Sequence, residues 1–288
     1  MNDIRTVLIG TDLDRDSDAL VSTGLQVARA AGARVHLAFS FAPPVAYLSE
    51  LGAGVNDPVL AQEEQRCREA LAEQARQAGI PGIAEGELHV RRGAPHRMLS
   101  ELAEEIGAGL LIVGATAGGR LHRRLGSTAD RVLRRAHCPV LVVRGSLRVP
   151  PKKVLAPVDL SPLSAEAFER GLGVLSGLGT PPEVEALFVL SVLERQTSFD
   201  FTPEQIDRLA AEKLERFVGT HAGVERKVRT GNTREEIFGE IASYRPDLVL
   251  LGTHGLGGFD RFAIGSVAAD VTREAPCSVL VVPPAAQS

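Results

Sequence analysis

The chain has 288 residues, long enough for two domains of ordinary size, each able to bury a core of its own. Its 32 Lys and Arg against 36 Asp and Glu leave a formal charge of −4, which provides no electrostatic footprint for nucleic acid or an anionic membrane. The scattered Cys67, Cys138 and Cys277 suit neither a disulfide framework nor a zinc cluster, and no apolar run reaches the length of a signal-peptide core or a membrane span, so a soluble, cytoplasmic protein is expected.

In chain order, the first buried strand is expected near 6–12, ending at Asp12, followed by a helix near 17–31 and a strand near 34–40. A helix near 59–79, a strand near 86–91, a helix near 95–106, a strand near 109–114, a helix near 126–136 and a strand near 139–144 complete the first half. Gly145, Ser146 and the tandem Pro150-Pro151 mark a linker. The second half repeats the order: strands near 152–158, 183–190, 225–230, 247–252 and 278–282, with helices near 162–176, 203–222, 233–243 and 266–275. Ser161 before Pro162 reads as an N-cap followed by proline in the first turn. Apolar strands alternating with amphipathic helices are the pattern of βαβ units and a parallel sheet.

The halves are echoes. Thr6-Val-Leu-Ile-Gly-Thr-Asp returns as Lys153-Val-Leu-Ala-Pro-Val-Asp, Leu110-Leu-Ile-Val-Gly as Leu248-Val-Leu-Leu-Gly, and Leu125-Gly-Ser as Ile264-Gly-Ser. Cys138-Pro-Val-Leu-Val-Val returns as Cys277-Ser-Val-Leu-Val-Val. Four matches in the same order predict an α/β chain of two tandem doubly wound domains, 1–146 and 151–288, each with a five-stranded parallel sheet of Rossmann-like type.

In such a sheet a ligand occupies the crevice at the carboxyl ends of the strands where the winding reverses, here between the first and fourth strands of each half. In the second half those ends are Asp159 and Gly252. The segment from Thr253 through His254, Gly255, Gly257 and Gly258 to Gly265, Ser266 and Val267 then delivers the chain into a helix. Glycines let backbone N–H groups approach an anion, and a helix N-terminus favours negative charge, so the loop suits phosphate. A tight strand-to-helix connection with Ser266 as the cap is the structural alternative.

Gly252, Gly255, Gly265 and Ser266 reproduce the spacing Gly, two residues, Gly, nine residues, Gly, then Ser or Thr. With the Pro157-Val-Asp159 strand end, the chain resembles the ATP-binding branch of the universal stress protein family over nearly its whole length. The resemblance implies ATP, with a divalent metal such as Mg on its phosphates. Asp159 and the backbone near Val189 would lie by the adenine and ribose; Gly252 to Gly255 and Gly265 to Val267 would hold ribose and phosphates. It also implies that the last strands of the two halves pair into a pseudo-dimer, and that two chains can associate further. The first half departs from the spacing, with Ala117 at the second glycine and one residue fewer before Gly126. Asp12, Gly114, Gly126 and Ser127 remain as weaker candidates. His122, Arg123 and Arg124 are either phosphate partners or a solvated face.

Other residues carry less. No Gly-x4-Gly-Lys-Ser/Thr occurs, and the run Gly171, Gly173 and Gly177 falls in a helix rather than after a strand, where helix packing or a C-terminal break explains it. Cys138 and Cys277 open equivalent strands as small buried thiols. Asp159 has a second role open to it, accepting backbone N–H groups at the helix entry. His254 has no carboxylate or nucleophile implied beside it, so binding or loop packing is favoured over general base catalysis. The leading expectation is an ATP-binding regulatory protein with at most slow hydrolysis and an unidentified signalling partner. The rivals are an ATP-hydrolysing or adenylyl-transferring enzyme and a scaffold that binds no nucleotide.

Overall fold

The computed structural model describes residues 4–14, 17–41, 58–79, 87–115, 125–193, 201–253 and 264–284. The first half contains β1 (Thr6–Thr11), α1 (Ser17–Ala31), β2 (Arg34–Phe41), α2 (Pro58–Gln77), β3 (Leu88–Arg92), α3 (Pro95–Glu105), β4 (Leu110–Gly114), α4 (Ser127–Leu133) and β5 (Val140–Val143). The second contains β6 (Lys153–Val158), α5 (Pro162–Ser176), β7 (Glu183–Leu190), α6 (Pro203–Val218), β8 (Val224–Thr230), α7 (Thr233–Tyr244), β9 (Leu248–Gly252), α8 (Ser266–Glu274) and β10 (Ser278–Val282).

The elements follow the expected order, and two helices stop early for local reasons. α6 ends before Gly219, whose φ of 58° is easy only for glycine. α4 ends at Leu133 rather than near 136, and Pro139 follows closely; a residue before proline avoids helical geometry. Gly171 on α5 has the packing role expected of it, since a Cβ there would collide with Leu250 of β9. Gly24 on α1, the equivalent position, lies as closely on Ile9 of β1.

All ten strands join one sheet in the order β3-β2-β1-β4-β5-β10-β9-β6-β7-β8. Each half is thus wound 3-2-1-4-5 with parallel neighbours, and the halves meet where β5 and β10 run antiparallel. The edge pairing implied by the resemblance is present inside one chain. Two apolar layers cover the sheet and both cross the seam. One packs α1, α2, α5 and α6 around Ile9, Leu141, Leu250 and Leu280. The other packs α3, α4, α7 and α8 around Leu8, Val142, Val249 and Val281. Among the described residues no helix is long and apolar enough to cross a membrane.

Candidate functional site

The second-half crevice begins where β6 and β9 part. Their pairing runs over Val154 with Leu248 and Leu155 with Val249, short of the carboxyl ends that carry Asp159 and Gly252. Beyond β6 the backbone turns sharply: Leu160 has φ 61°, and the equivalent Leu13 after β1 has the same value. A non-glycine residue is uncommon in this left-handed region, so its recurrence marks a turn kept at both strand ends. Asp159 stabilises the turn by accepting the Ser161 N–H on Oδ1 at 3.0 Å. Ser161 caps α5, accepting the Ser164 N–H at 3.1 Å, with Pro162 in the first turn. The helix-entry role open to Asp159 is therefore real.

Gly265, not Ser266, is the N-cap of α8, and no side chain caps that helix. The structural alternative for Ser266 fails, because Ser266 is the first helical residue. Gly265 donates its N–H to the Thr253 carbonyl at 2.7 Å, tying the helix start back to the end of β9. Thr253 in turn donates to Val282 of β10 at 3.2 Å. Val189 is the next-to-last residue of β7, at its crevice end, and is buried in the α7-side layer. His254 and Gly255 lie outside the described residues, as do His122, Arg123 and Arg124 of the first half.

In the first half the corresponding crevice opens into a cavity of about 940 Å³, at the large end of the range for small-molecule sites. Asp12, Gly114, Gly126 and Ser127 all line it. β1 and β4 pair from Val7–Leu110 to Ile9–Ile112 and then separate, leaving the opening at their carboxyl ends. Gly126 repeats the geometry of Gly265: it is an N-cap without a side-chain bond, and its N–H reaches the Ala115 carbonyl at 2.7 Å.

Two groups of residues at this cavity were not found from the sequence. Beside Thr11 and Ser17 on its wall, Gln74 of α2 accepts from Thr11 Oγ1 at 2.9 Å. The Gln74 amide donates to Ser17 Oγ at 3.0 Å and Asp18 Oδ1 at 2.9 Å. The cavity is also not the property of one half, for Phe238, Ile241, Ala242, Glu274, Ala275 and Pro276 of the second half complete it. Arg144, on its wall at the end of β5, donates through Nη2 to the carbonyls of Thr272 and Arg273, at 3.2 and 3.3 Å, near the end of α8. Burial pushes the Cys138 and Cys277 thiols up to about 11, which keeps both protonated and poor nucleophiles near neutral pH. No group of three or more metal-binding side chains occurs among the described residues.

Fold and crevices together define a tandem doubly wound α/β protein with a cleft at each reversal of winding. The sequence matches the Universal stress protein family over residues 3–144 and 151–283, and the chain belongs to that family. It is 30% identical over 302 aligned positions to a universal stress protein of Mycolicibacterium smegmatis, covering 96% of this chain and 97% of that one. A universal stress protein of Archaeoglobus fulgidus superposes with a TM-score of 0.64 at 18% identity, over 96% of this chain and 98% of that one. A second solved structure, from Pseudomonas aeruginosa, gives 0.63 at 18% identity over 98% and 94%. At those identities the structures speak for the shared fold.

Proposed function

We propose that this universal stress protein is a nucleotide-binding regulator, with ATP and Mg held mainly by the second unit, 151–288, and hydrolysed slowly at most. The observation that carries the reading is the start of α8. Gly265 caps the helix with no side-chain bond, at a point where β6 and β9 have already parted. Unsatisfied N–H groups and the helix dipole at such a point attract an anion. Among the described residues an added Cβ at Gly265 would meet the Thr253 carbonyl at 3.5 Å, an ordinary contact, which is compatible with a phosphate at the helix start. With Ser266, Val267, Gly252 and Thr253 around the phosphates and Asp159 and Val189 toward the base and sugar, the residues fit a nucleoside triphosphate. The metal would rest on the phosphates themselves. Bound nucleotide then biases how the protein meets a signalling partner in the cell, in keeping with a stress-response role.

Calorimetric titration of Mg-ATP into the intact protein tests this, beside Gly265→Asp with Ser266→Ala and Gly126→Asp with Ser127→Ala. Each aspartate sets a negative charge where phosphate would sit. The second-unit pair is expected to abolish binding and the first-unit pair to leave most of it. An intact protein that neither binds ATP nor carries it when purified would overturn the proposal in favour of the scaffold.

A further inference from the structure

The seam between the halves obeys a local two-fold. Val279 lies opposite Val142, Leu280 opposite Leu141, and Val281 opposite Val140. The repeat equates Val140-Leu141-Val142 with Val279-Leu280-Val281, so equivalent residues pair reciprocally about Leu141 and Leu280. An interface of this kind is self-complementary: whatever one half presents to the other is returned from the equivalent position. The second half presents Glu274, Ala275 and Pro276 to the first-half cavity, the same cavity that Ser127 lines at the start of α4. Aligning Gly126-Ser127 with Gly265-Ser266 equates these three with Arg135, Ala136 and His137. By the same two-fold Arg135 is the counterpart of Glu274, the position from which the first half would face the second-half crevice.

Around this position the charges of the two halves are reversed. Arg97, Arg131 and Arg135 in the first half stand where the second has Glu235, Asp270 and Glu274. In the second half Arg234 neutralises part of the acidic rim, pairing with Glu274 at 2.6 Å and Asp270 at 3.4 Å. In the first half all three arginines are exposed. The imidazole of His96, which replaces Arg234, has its pKa lowered by partial burial and then by the charges of Arg131, Arg135 and Arg97. The acids nearby have other partners: Asp130 pairs with Arg134 and with Arg273 of the second half, and Glu104 faces His137 at 3.9 Å. Among the described residues on the first cavity's wall, the cation Arg144 is engaged by the carbonyls of Thr272 and Arg273.

From this reversal we infer that each half supplies the electrostatic rim of the other's crevice, so that Arg135, backed by Arg131 and Arg97, strengthens phosphate binding in the second half, while Glu274 disfavours it in the first. The inference rests on the proposed second-unit ATP site and says why that site outcompetes the roomy first one. It assigns Arg135 to a binding site 130 residues away in the chain, between Arg135 and Gly265, and predicts selection by ligand charge: a neutral nucleoside gains nothing from the basic rim.

The test uses the intact protein carrying Gly126→Asp and Ser127→Ala, so that the second crevice alone is read, with Mg-ATP and adenosine titrated in low and in near-physiological salt. Reversing one rim charge, Arg135→Glu, is expected to weaken ATP about tenfold at low salt and less at high salt, as screening shortens the reach of exposed charges. Adenosine binding should be unchanged. In the otherwise unmodified protein, Glu274→Arg should strengthen ATP binding at the first crevice. Wild-type ATP affinity in Arg135→Glu, or an equal loss for adenosine, overturns the inference while leaving ATP binding intact. Failure of the unmodified protein to bind ATP removes both the site and its rim.

Discussion

Gly265 separates what folding needs from what a ligand needs. Its backbone stands at φ −57°, ψ 150°, a region open to any residue, and among the described residues an added Cβ makes ordinary contact. Contrast Gly171, whose replacement drives a side chain into Leu250. Gly265→Ala is thus expected to cost no more than about 1 kcal/mol of stability, the scale of a weakened N-cap. Its effect on ATP affinity should be the larger one, since a methyl group occupies space at the mouth of α8. Thermal melts beside calorimetry check this; a steep loss of stability with unchanged affinity would make Gly265 a structural residue. Asp159 and the start of α8 were legible because they are punctuation within one strand-loop-helix unit. Gln74 and Glu274 were not, because each comes from elsewhere: Gln74 bonds the wall residue Thr11 from 63 residues away, and Glu274 reaches the first crevice across the seam.

The repeat is faithful in its elements and divergent in the layer beneath α3 and α7. In the first half His36 Nδ1 on β2 meets His89 Nε2 on β3 at 2.9 Å, with the rings stacked. At the equivalent positions the second half has Glu185 and Lys227, 3.3 Å apart, joined by the buried Glu240 of α7, 2.9 Å from Lys227. A hydrogen bond between two imidazoles requires one nitrogen to lack its proton. Burial, the neighbouring His36 and the Arg91 charge lower His89 to about 4, and burial lowers His36 as well. Unfolded histidines titrate near 6.5, so the unfolded chain binds more protons below that value and stability falls as pH drops from about 6.5 toward 4. Denaturant titrations at pH 7 and pH 5 should differ by about 1 kcal/mol after allowance for the pair's partial exposure, and His89→Gln should flatten the difference. Equal slopes with and without His89 would exclude the pair as the source. Strand and helix order was readable because apolar runs and amphipathic stretches alternate so regularly. This divergence was not, because His36 and His89 are brought diagonally together by the register of β2 on β3, which a single sequence does not display.

Across the whole molecule, the two repeats share one ten-stranded sheet and two apolar layers that cross the seam. An inter-domain surface that is small and polar lets domains move and unfold separately, whereas a large apolar one couples them. Here the seam is apolar on both faces: Leu141 and Leu280 belong to the layer that also holds Leu25 and Leu214, while Val142 and Val281 belong to the layer that holds Leu99 and Val271. Hydrogen bonds reinforce it, with the Arg144 N–H donating to Ser278 Oγ at 3.1 Å and its guanidinium holding the end of α8. Opening the seam would also expose two apolar edge strands, a costly and aggregation-prone state. The intact chain is therefore expected to melt in a single transition. Leu280, 1% exposed at the local two-fold, is the residue whose loss both halves feel. Leu280→Ala should cost about 3 kcal/mol, the usual range for a leucine removed from a packed core, and should lower the one transition without splitting it. Calorimetry checks both points, and two separated transitions in either protein would show that the halves are stable without the seam.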